Sequence, residues 1–229
     1  ASDELKTAFL KNVSHEIRTP LKVIYDFSQL LDYKSYSEDK KLEFSEIIKQ
    51  NSEKLINIVS DIITITLLEK KQVKVNYSII NLNEFFDTFF YEFERLSKKK
   101  KIEFLLYKEK NQSEILLYSD LEKISQIVSS LLSNSFKFTE SGKIEFGYEK
   151  KEAEILFFAK DTGIGIKKEY HTKIFERFSH ADNFISENYG GIGLGLSICK
   201  GYVDLLGGKI WMESEENKGS SFYFTIPTK

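Results

Sequence analysis

Two long segments open the chain, residues 3 to 33 and 38 to 71, in which apolar residues return every three or four positions. In the first they are Leu5, Phe9, Val13, Ile17, Leu21, Ile24 and Leu31; in the second, Ile47, Leu55, Ile58, Ile62, Ile65 and Leu68. That spacing belongs to an α-helix with one apolar side. The polar "YKSYSED" between them, with Ser37 as an N-cap, predicts a short turn and hence an antiparallel helical hairpin. Two such helices cannot cover both of their apolar stripes. The natural completion is the same hairpin from a second copy, a four-helix bundle about a twofold axis, so a homodimer is expected.

After Lys71 the pattern changes to short β-branched and aromatic runs alternating with helical ones. "VKVNYSII", "KIEFLLYK", "GKIEFGYEK", "EILFFAKD", "GGKIWMES" and "SFYFTIP" read as strands, and residues 83 to 98, 120 to 137 and 193 to 206 as helices. Strands rejoined through helices, with hairpin-like runs late in the chain, predict one layer of helices on a mixed sheet. The boundary is expected near residues 70 to 75, giving domains 1 to 72 and 73 to 229. Trp211 and Met212, on a strand, are expected in the core.

Composition excludes several classes. Lys plus Arg number 33 and Asp plus Glu 35, so bulk charge does not suggest nucleic acid. The four lysines at 98 to 101 read as the solvated end of a helix. One cysteine, Cys199, excludes an intramolecular disulfide and a cysteine zinc site, and its apolar context reads as a buried thiol. No apolar run is long enough to cross a bilayer, so no membrane contact is expected from this segment. The expected location is the cytoplasm. Because the sequence begins without methionine and already in a helical pattern, it reads as a piece of something longer.

At 100° per residue the apolar positions of the first helix centre nearly opposite His15, which therefore faces solvent. An exposed helical histidine is most often only a surface residue, but this one has company. Neutral imidazole is a nucleophile near pH 7, and a phosphorylated ring nitrogen is labile enough to hand the group on. Glu16 can accept a proton from the ring or orient it. Thr19, one turn on, carries a hydroxyl that can position water. Pro20 lacks the amide that would bond the Glu16 carbonyl, which predicts a kink or loosening just after the histidine.

"FLKNVSHEIRTPL" resembles the phosphoacceptor box of sensor histidine kinases, the dimerisation and histidine-phosphotransfer domain of two-component signalling. The resemblance implies that His15 takes phosphate from ATP, that Glu16 acts as base, and that Thr19 assists phosphatase activity toward a response regulator.

The second half supplies an independent set of motifs. In "SDLEKISQIVSSLLSNSFKFT", Ser119 and Glu122 have capping-box spacing, and Ile124, Val128, Leu131, Ser135 and Phe138 form the expected buried side. Ser130, Asn134 and Lys137 fall at the edge of that side. Asn134 offers a neutral oxygen and Lys137 a point charge, a pairing suited to magnesium and phosphate as well as to an ordinary polar helix edge. "DTGIGI" sets Asp161 at a strand end before Gly163 and Gly165, and "GGIGLGLSICK" runs from a glycine-rich loop into a helix, where free amides favour a polyanion.

An Asn-containing helix, DTGIGI, "IFERF" and GGIGLGL, in that order, resemble the N, G1, F and G2 boxes of histidine-kinase catalytic domains. These share the α+β sandwich of gyrase, mismatch-repair and heat-shock chaperone ATPases. The resemblance implies ATP and Mg2+ as ligands, with Asn134 on the metal and Lys137 on phosphate. It further implies that Asp161 selects adenine, with Gly163 and Gly165 in its turn, and that Gly191, Ile192, Gly193, Leu194 and Gly195 line the phosphates. Phe175 and Phe178 would anchor a lid running to about Tyr189, while His171 and His180 read as surface residues. The implied partners are a second copy and the receiver domain of a response regulator. Two positions depart from the common pattern, Ser130 where an asparagine is usual and Ile192 where a threonine or small residue is usual. They leave open an alternative, a nucleotide-binding scaffold or phosphatase-only homologue.

Overall fold

The computed structural model describes residues 2 to 33, 35 to 109, 114 to 176 and 193 to 228, with side chains from Leu10 onward. These form two compact units. One is built on residues up to Gln72, with Gly193 and Leu194 grouped to it, and the other on the rest from Val73.

The first unit is the helical hairpin, α1 (Ser2–Leu31) and α2 (Glu38–Glu69). Ser37 caps α2, its hydroxyl accepting from the Lys40 amide at 3.4 Å, with Glu38 and Asp39 in the first turn where the helix dipole favours them. Val13 and Pro20 of α1 and Phe44, Ile58 and Ile65 of α2 are buried. Phe27 and Phe44 meet edge to face at 5.4 Å near the connected end. The α1 helix runs continuously through Pro20.

The second unit begins with β1 (Ser78–Asn81), α3 (Leu82–Lys100), β2 (Glu103–Tyr107), β3 (Leu116–Ser119) and α4 (Leu121–Phe138). It continues with β4 (Lys143–Lys150), β5 (Glu154–Asp161), α5 (Gly195–Leu205), β6 (Lys209–Glu215) and β7 (Gly219–Pro227). Strands β2-β4-β5-β7-β6 make one sheet, parallel only between β2 and β4, and β1 and β3 form a separate antiparallel ribbon. This is the mixed sheet expected, covered by helices.

Period-two alternation decides which side chains reach the covered face. In β5 these are Ile155, Phe157, Ala159 and then Asp161, so the last inward position of an apolar strand is a carboxylate. Above the sheet, Phe86 of α3 is fully buried and stacks on Phe146 and Phe157 at 5.7 and 5.9 Å, and Phe157 lies 4.5 Å from Phe224. The opposite face carries an aromatic row through registered positions, Tyr107, Phe158, Tyr223 and Trp211, interrupted at Gly147. A Cβ on Gly147 would stand 2.0 Å from the Tyr107 carbonyl oxygen, which accounts for the gap in the row.

Several sequence expectations are corrected. Trp211 lies on that outer face, stacked on Tyr223 at 5.4 Å and 37% exposed, because residue 211 is out of phase with inward-facing Ile210 and Met212. Residues 73 to 77 are not strand; pairing starts at Ser78, opposite Ser119 of β3, a strand the sequence reading did not include. Ser119 therefore does not cap α4, since it is a strand residue; Asp120 caps it, accepting from the Lys123 amide at 3.1 Å. The lysine run is not wholly solvated either. Lys100 reaches across to donate to the carbonyls of Phe136 and Thr139, satisfying the C-terminal end of α4.

Truncating Phe86 removes the ring shared by four aromatic partners, Phe85, Phe146, Tyr148 and Phe157, so Phe86→Ala should lower unfolding free energy by about 3–5 kcal/mol. Trp211→Ala, at a half-exposed outer position, should cost about 1 kcal/mol or less beyond lost stacking. Urea unfolding of both variants checks the contrast; equal losses would mean that the aromatic core is misassigned.

Candidate functional site

His15 is exposed on α1 and Thr19, one turn later, is exposed beside it. The Thr19 hydroxyl donates to the His15 carbonyl at 3.1 Å. That bond belongs to the turn in which Pro20 has removed a backbone donor, and it is a known way for threonine to sit within a helix. Glu16 turns the other way, into a groove of about 360 Å³ along the hairpin, whose α2 wall includes Glu53, Lys54, Asn57 and Asp61. Asp61 went unremarked in the sequence. Its signal was a carboxylate placed between Ile58 and Ile62 on the apolar side of α2. Burial pushes its pKa up from 3.8 to about 6.

In the second unit, Asp161 is the centre of a pinned turn. Its Oδ1 accepts from the amides of Gly163 at 2.9 Å and Ser220 at 3.2 Å, and its Oδ2 from the Ser135 hydroxyl at 3.5 Å. Burial raises the pKa of this carboxyl, and the three bonds, all from uncharged donors, only partly reverse the shift. One oxygen thus carries two amides while Oδ2 keeps acceptor capacity for a ligand N–H.

The glycines of "DTGIGI" are required by their neighbours. A Cβ on Gly163 would stand 2.3 Å from the Phe138 carbonyl oxygen, the same oxygen that accepts from the Ile164 amide at 3.2 Å. Gly165 has φ +65°, and a Cβ there would meet the Glu215 carbonyl oxygen at 2.0 Å. The turn is thus clamped between the end of α4 and the β6–β7 hairpin. Ser214 adds to the clamp by accepting from the Ile166 amide at 2.8 Å, a contact that sequence reasoning missed because the two residues lie 48 positions apart.

Helix α4 joins the two ends of this site. Its Ser135 meets Asp161, and its Ser130 faces the first turn of α5, where a Cβ on Gly195 would stand 3.0 Å from the Ser130 hydroxyl oxygen. Five residues of helix separate those points by about 7–8 Å. Asn134 and Lys137 are half-buried along the same helix, with the Lys137 ammonium 5.0 Å from the Phe138 ring centre. Gly193 has φ +73° and Leu194 is buried. Gly191, Ile192, Phe178, His180 and Tyr189 lie outside the described residues. Phe175 packs edge-on against Phe222 at 6.3 Å, and His171 is half-buried, its Nε2 2.9 Å from the Ile166 carbonyl oxygen. Cys199 is buried in α5.

Residues 5–71 match the family described as His Kinase A (phospho-acceptor) domain, and residues 119–229 match Histidine kinase-, DNA gyrase B-, and HSP90-like ATPase. The chain is 32% identical over 231 residues to the sensor histidine kinase WalK of Bacillus subtilis, covering 99% of this chain and 37% of that protein. It spans well under half the length of the curated relatives compared. Among solved structures, the catalytic domain of histidine kinase ThkA is 32% identical, with a TM-score of 0.58 over 67% of this chain and 98% of that one. ThkA in complex with the response regulator protein TrrA aligns over 96% of this chain and 61% of that one, at 26% identity and a TM-score of 0.66.

The groove carboxyl gives a test on the hairpin. Between pH 3.8 and about 6 the folded state keeps the Asp61 proton that the unfolded chain has lost, so stability falls as pH rises through that window and stays low above it. The full shift would correspond to ~3 kcal/mol, and partial exposure of the group reduces this to ~1–2 kcal/mol. Asp61→Asn should raise the melting temperature at pH 7.5 by a few degrees and lose that advantage near pH 4, read by thermal unfolding at fixed protein concentration.

Proposed function

The chain belongs to the sensor histidine kinases of two-component signalling, and we propose that it works as their catalytic core, phosphorylating His15 from ATP and passing the group to an aspartate of a response regulator. The observation that carries this reading is an exposed helical imidazole flanked by Glu16 and Thr19, in a chain whose second unit is an ATPase fold with a clamped carboxylate turn. The working division is residues 1 to 72 for dimerisation and phosphotransfer and 73 to 229 for nucleotide binding.

In this reading Asp161 Oδ2 accepts from the exocyclic amine of adenine, and Gly163 and Gly165 hold the turn open for the base. Gly191, Ile192, Gly193, Leu194 and Gly195 present amides to the phosphates ahead of α5. Lys137 adds a cation, and Asn134 offers an oxygen for Mg2+. Among the described residues no three of His, Cys, Asp and Glu converge. The single neutral oxygen offered by Asn134 fits a hard ion that takes most of its ligands from phosphate and water, as Mg2+ does. When bound, Mg2+ would neutralise charge on the phosphates.

A His15 ring nitrogen forms the new N–P bond as the bond from the γ-phosphorus to its bridging oxygen breaks, releasing ADP. Glu16, once turned from the groove toward the imidazole, takes the proton from the other ring nitrogen. Positioning and charge neutralisation supply most of the acceleration. The exposed hydroxyl of Thr19, once turned from the His15 carbonyl, can position a water against a phosphorylated regulator. Leu10, Leu21 and Tyr25 of α1 and Ile56, Ile63 and Leu67 of α2 are exposed in a single hairpin, which supports homodimerisation through that apolar side.

Incubation with radiolabelled ATP should label the chain at an acid-labile site, and His15→Gln should abolish the label. Label persisting in that variant would remove His15 as the acceptor. Thr19→Ala should keep autophosphorylation while slowing loss of phosphate from a cognate regulator by tenfold or more, on the order of other positioned catalytic groups. Asp161→Asn replaces the acceptor with a group that is half donor. It should weaken ATP binding by roughly 10- to 100-fold, the range for hydrogen bonds to a charged group, measured by calorimetry.

A further inference from the structure

Asp120 uses both carboxylate oxygens in a buried site. Oδ1 accepts from the Lys123 amide at 3.1 Å, capping α4. Oδ2 accepts from the Asn76 amide at 2.7 Å and from the Lys123 ammonium at 2.7 Å. The two side chains are 2% and 7% exposed, and the Lys123 ammonium also lies 6.0 Å from the ring centre of Tyr202 in α5. One ion pair therefore touches three things: the segment 73 to 77 that follows the hairpin in the chain, the first turn of α4, and the helix that begins at Gly195. Burial alone would raise the Asp120 pKa, but the bonds from Lys123 and Asn76 bring it below the usual carboxylate value, so the group is ionised at neutral pH.

We infer that Asp120 is a positioning residue for phosphoryl transfer: it fixes the segment arriving from the hairpin to both helices of the nucleotide site, so that nucleotide binding and the placement of that segment are coupled. The inference rests on the nucleotide reading above. Capping α4 needs one acceptor oxygen, which asparagine or serine would supply as well. The second oxygen is the one that holds Asn76 and Lys123, and only an acidic residue offers both. Coupling of this kind is reciprocal, so nucleotide should order the segment as much as the segment orders the site.

The test uses the full chain and a non-hydrolysable ATP analogue with Mg2+. Asp120→Asn keeps one oxygen for the cap and turns a donor toward the Asn76 amide and the Lys123 ammonium, so the cap survives and the anchor breaks. The double variant Asp120→Asn with Lys123→Met removes the buried cation that would otherwise be left unpaired. In the unaltered chain, nucleotide should slow amide exchange of residues 73 to 80 by about fivefold or more, the lower range of allosteric coupling. In both variants that nucleotide dependence should vanish, calorimetric affinity for the analogue should weaken by a similar factor of about fivefold or more, as reciprocity requires, and kcat for His15 labelling should fall. Nucleotide-dependent protection persisting in the variants, or its absence in an unaltered chain that binds the analogue, overturns the coupling. An unaltered chain that fails to bind the analogue overturns the nucleotide reading itself and the coupling with it.

Discussion

The proposed nucleotide site depends on a carboxylate at an inward position of an apolar strand. Burying Asp161 beneath helices carries a desolvation cost that is offset only if fixed donors surround it. The fold supplies them from three separate places: the Gly163 amide of its own turn, the Ser220 amide of the neighbouring strand and the Ser135 hydroxyl of α4. Each donor fixes an element. The turn must be glycine at 163 because the α4 carbonyl of Phe138 occupies the space of a side chain, and β7 must open with Gly219, at φ +103°, because a Cβ there would meet the Asp161 carbonyl oxygen at 2.0 Å. With those contacts made, α4 is held in register, and its outer edge delivers Asn134, Lys137 and Ser130 along one line.

The hairpin follows a different constraint. Its helices bury a narrow seam of Val13, Pro20, Phe44, Ile58 and Ile65 and leave a second apolar side in solvent. His15 and Thr19 occupy the remaining polar arc while Glu16 lines the groove beside α2, so one surface is available for association and another for chemistry. Pro20 of the seam removes a donor from the Glu16 carbonyl, and Thr19 beside it adds its own donor to the carbonyl of His15. The helix therefore stays continuous through the proline turn.

Much of this was legible in the sequence wherever the signal was local. Helical periodicity gave the hairpin and its cap at Ser37, the polar exposure of His15, and the edge position of Asn134 and Lys137. What escaped was set by distance in the chain or by a phase error of one residue. Asp120 took the cap from Ser119 because Ser119 was already committed to pairing with Ser78, 41 positions earlier, in a ribbon whose second strand is only four residues long. Trp211 read as core because strand composition does not say which parity faces in; its partner Tyr223 does. Lys100 looked like one of four solvated lysines, and only the packing of α3 beside the end of α4 shows that its ammonium reaches the carbonyls of that helix. Helical phase placed Ser135 on the buried side of α4 but could not name Asp161 as its partner, and Ser214 carries no sequence signal, since a serine facing a distant amide looks like any other serine.

The buried pair of Asp120 and Lys123 is hard to explain by stability alone. An ion pair withdrawn from water loses in hydration much of what it gains in attraction, and well-packed apolar residues of similar volume commonly hold a fold as well or better. What apolar residues cannot do is fix direction. A carboxylate that accepts a helix-capping amide through one oxygen and a backbone amide 44 positions earlier through the other leaves the entering chain a single orientation relative to α4. Under the proposed coupling that stiffness matters, because slack at this joint would separate the placement of residues 73 to 77 from that of the helix bearing Asn134 and Lys137. The specificity of the joint, more than its strength, is the physical reason to place two charges there.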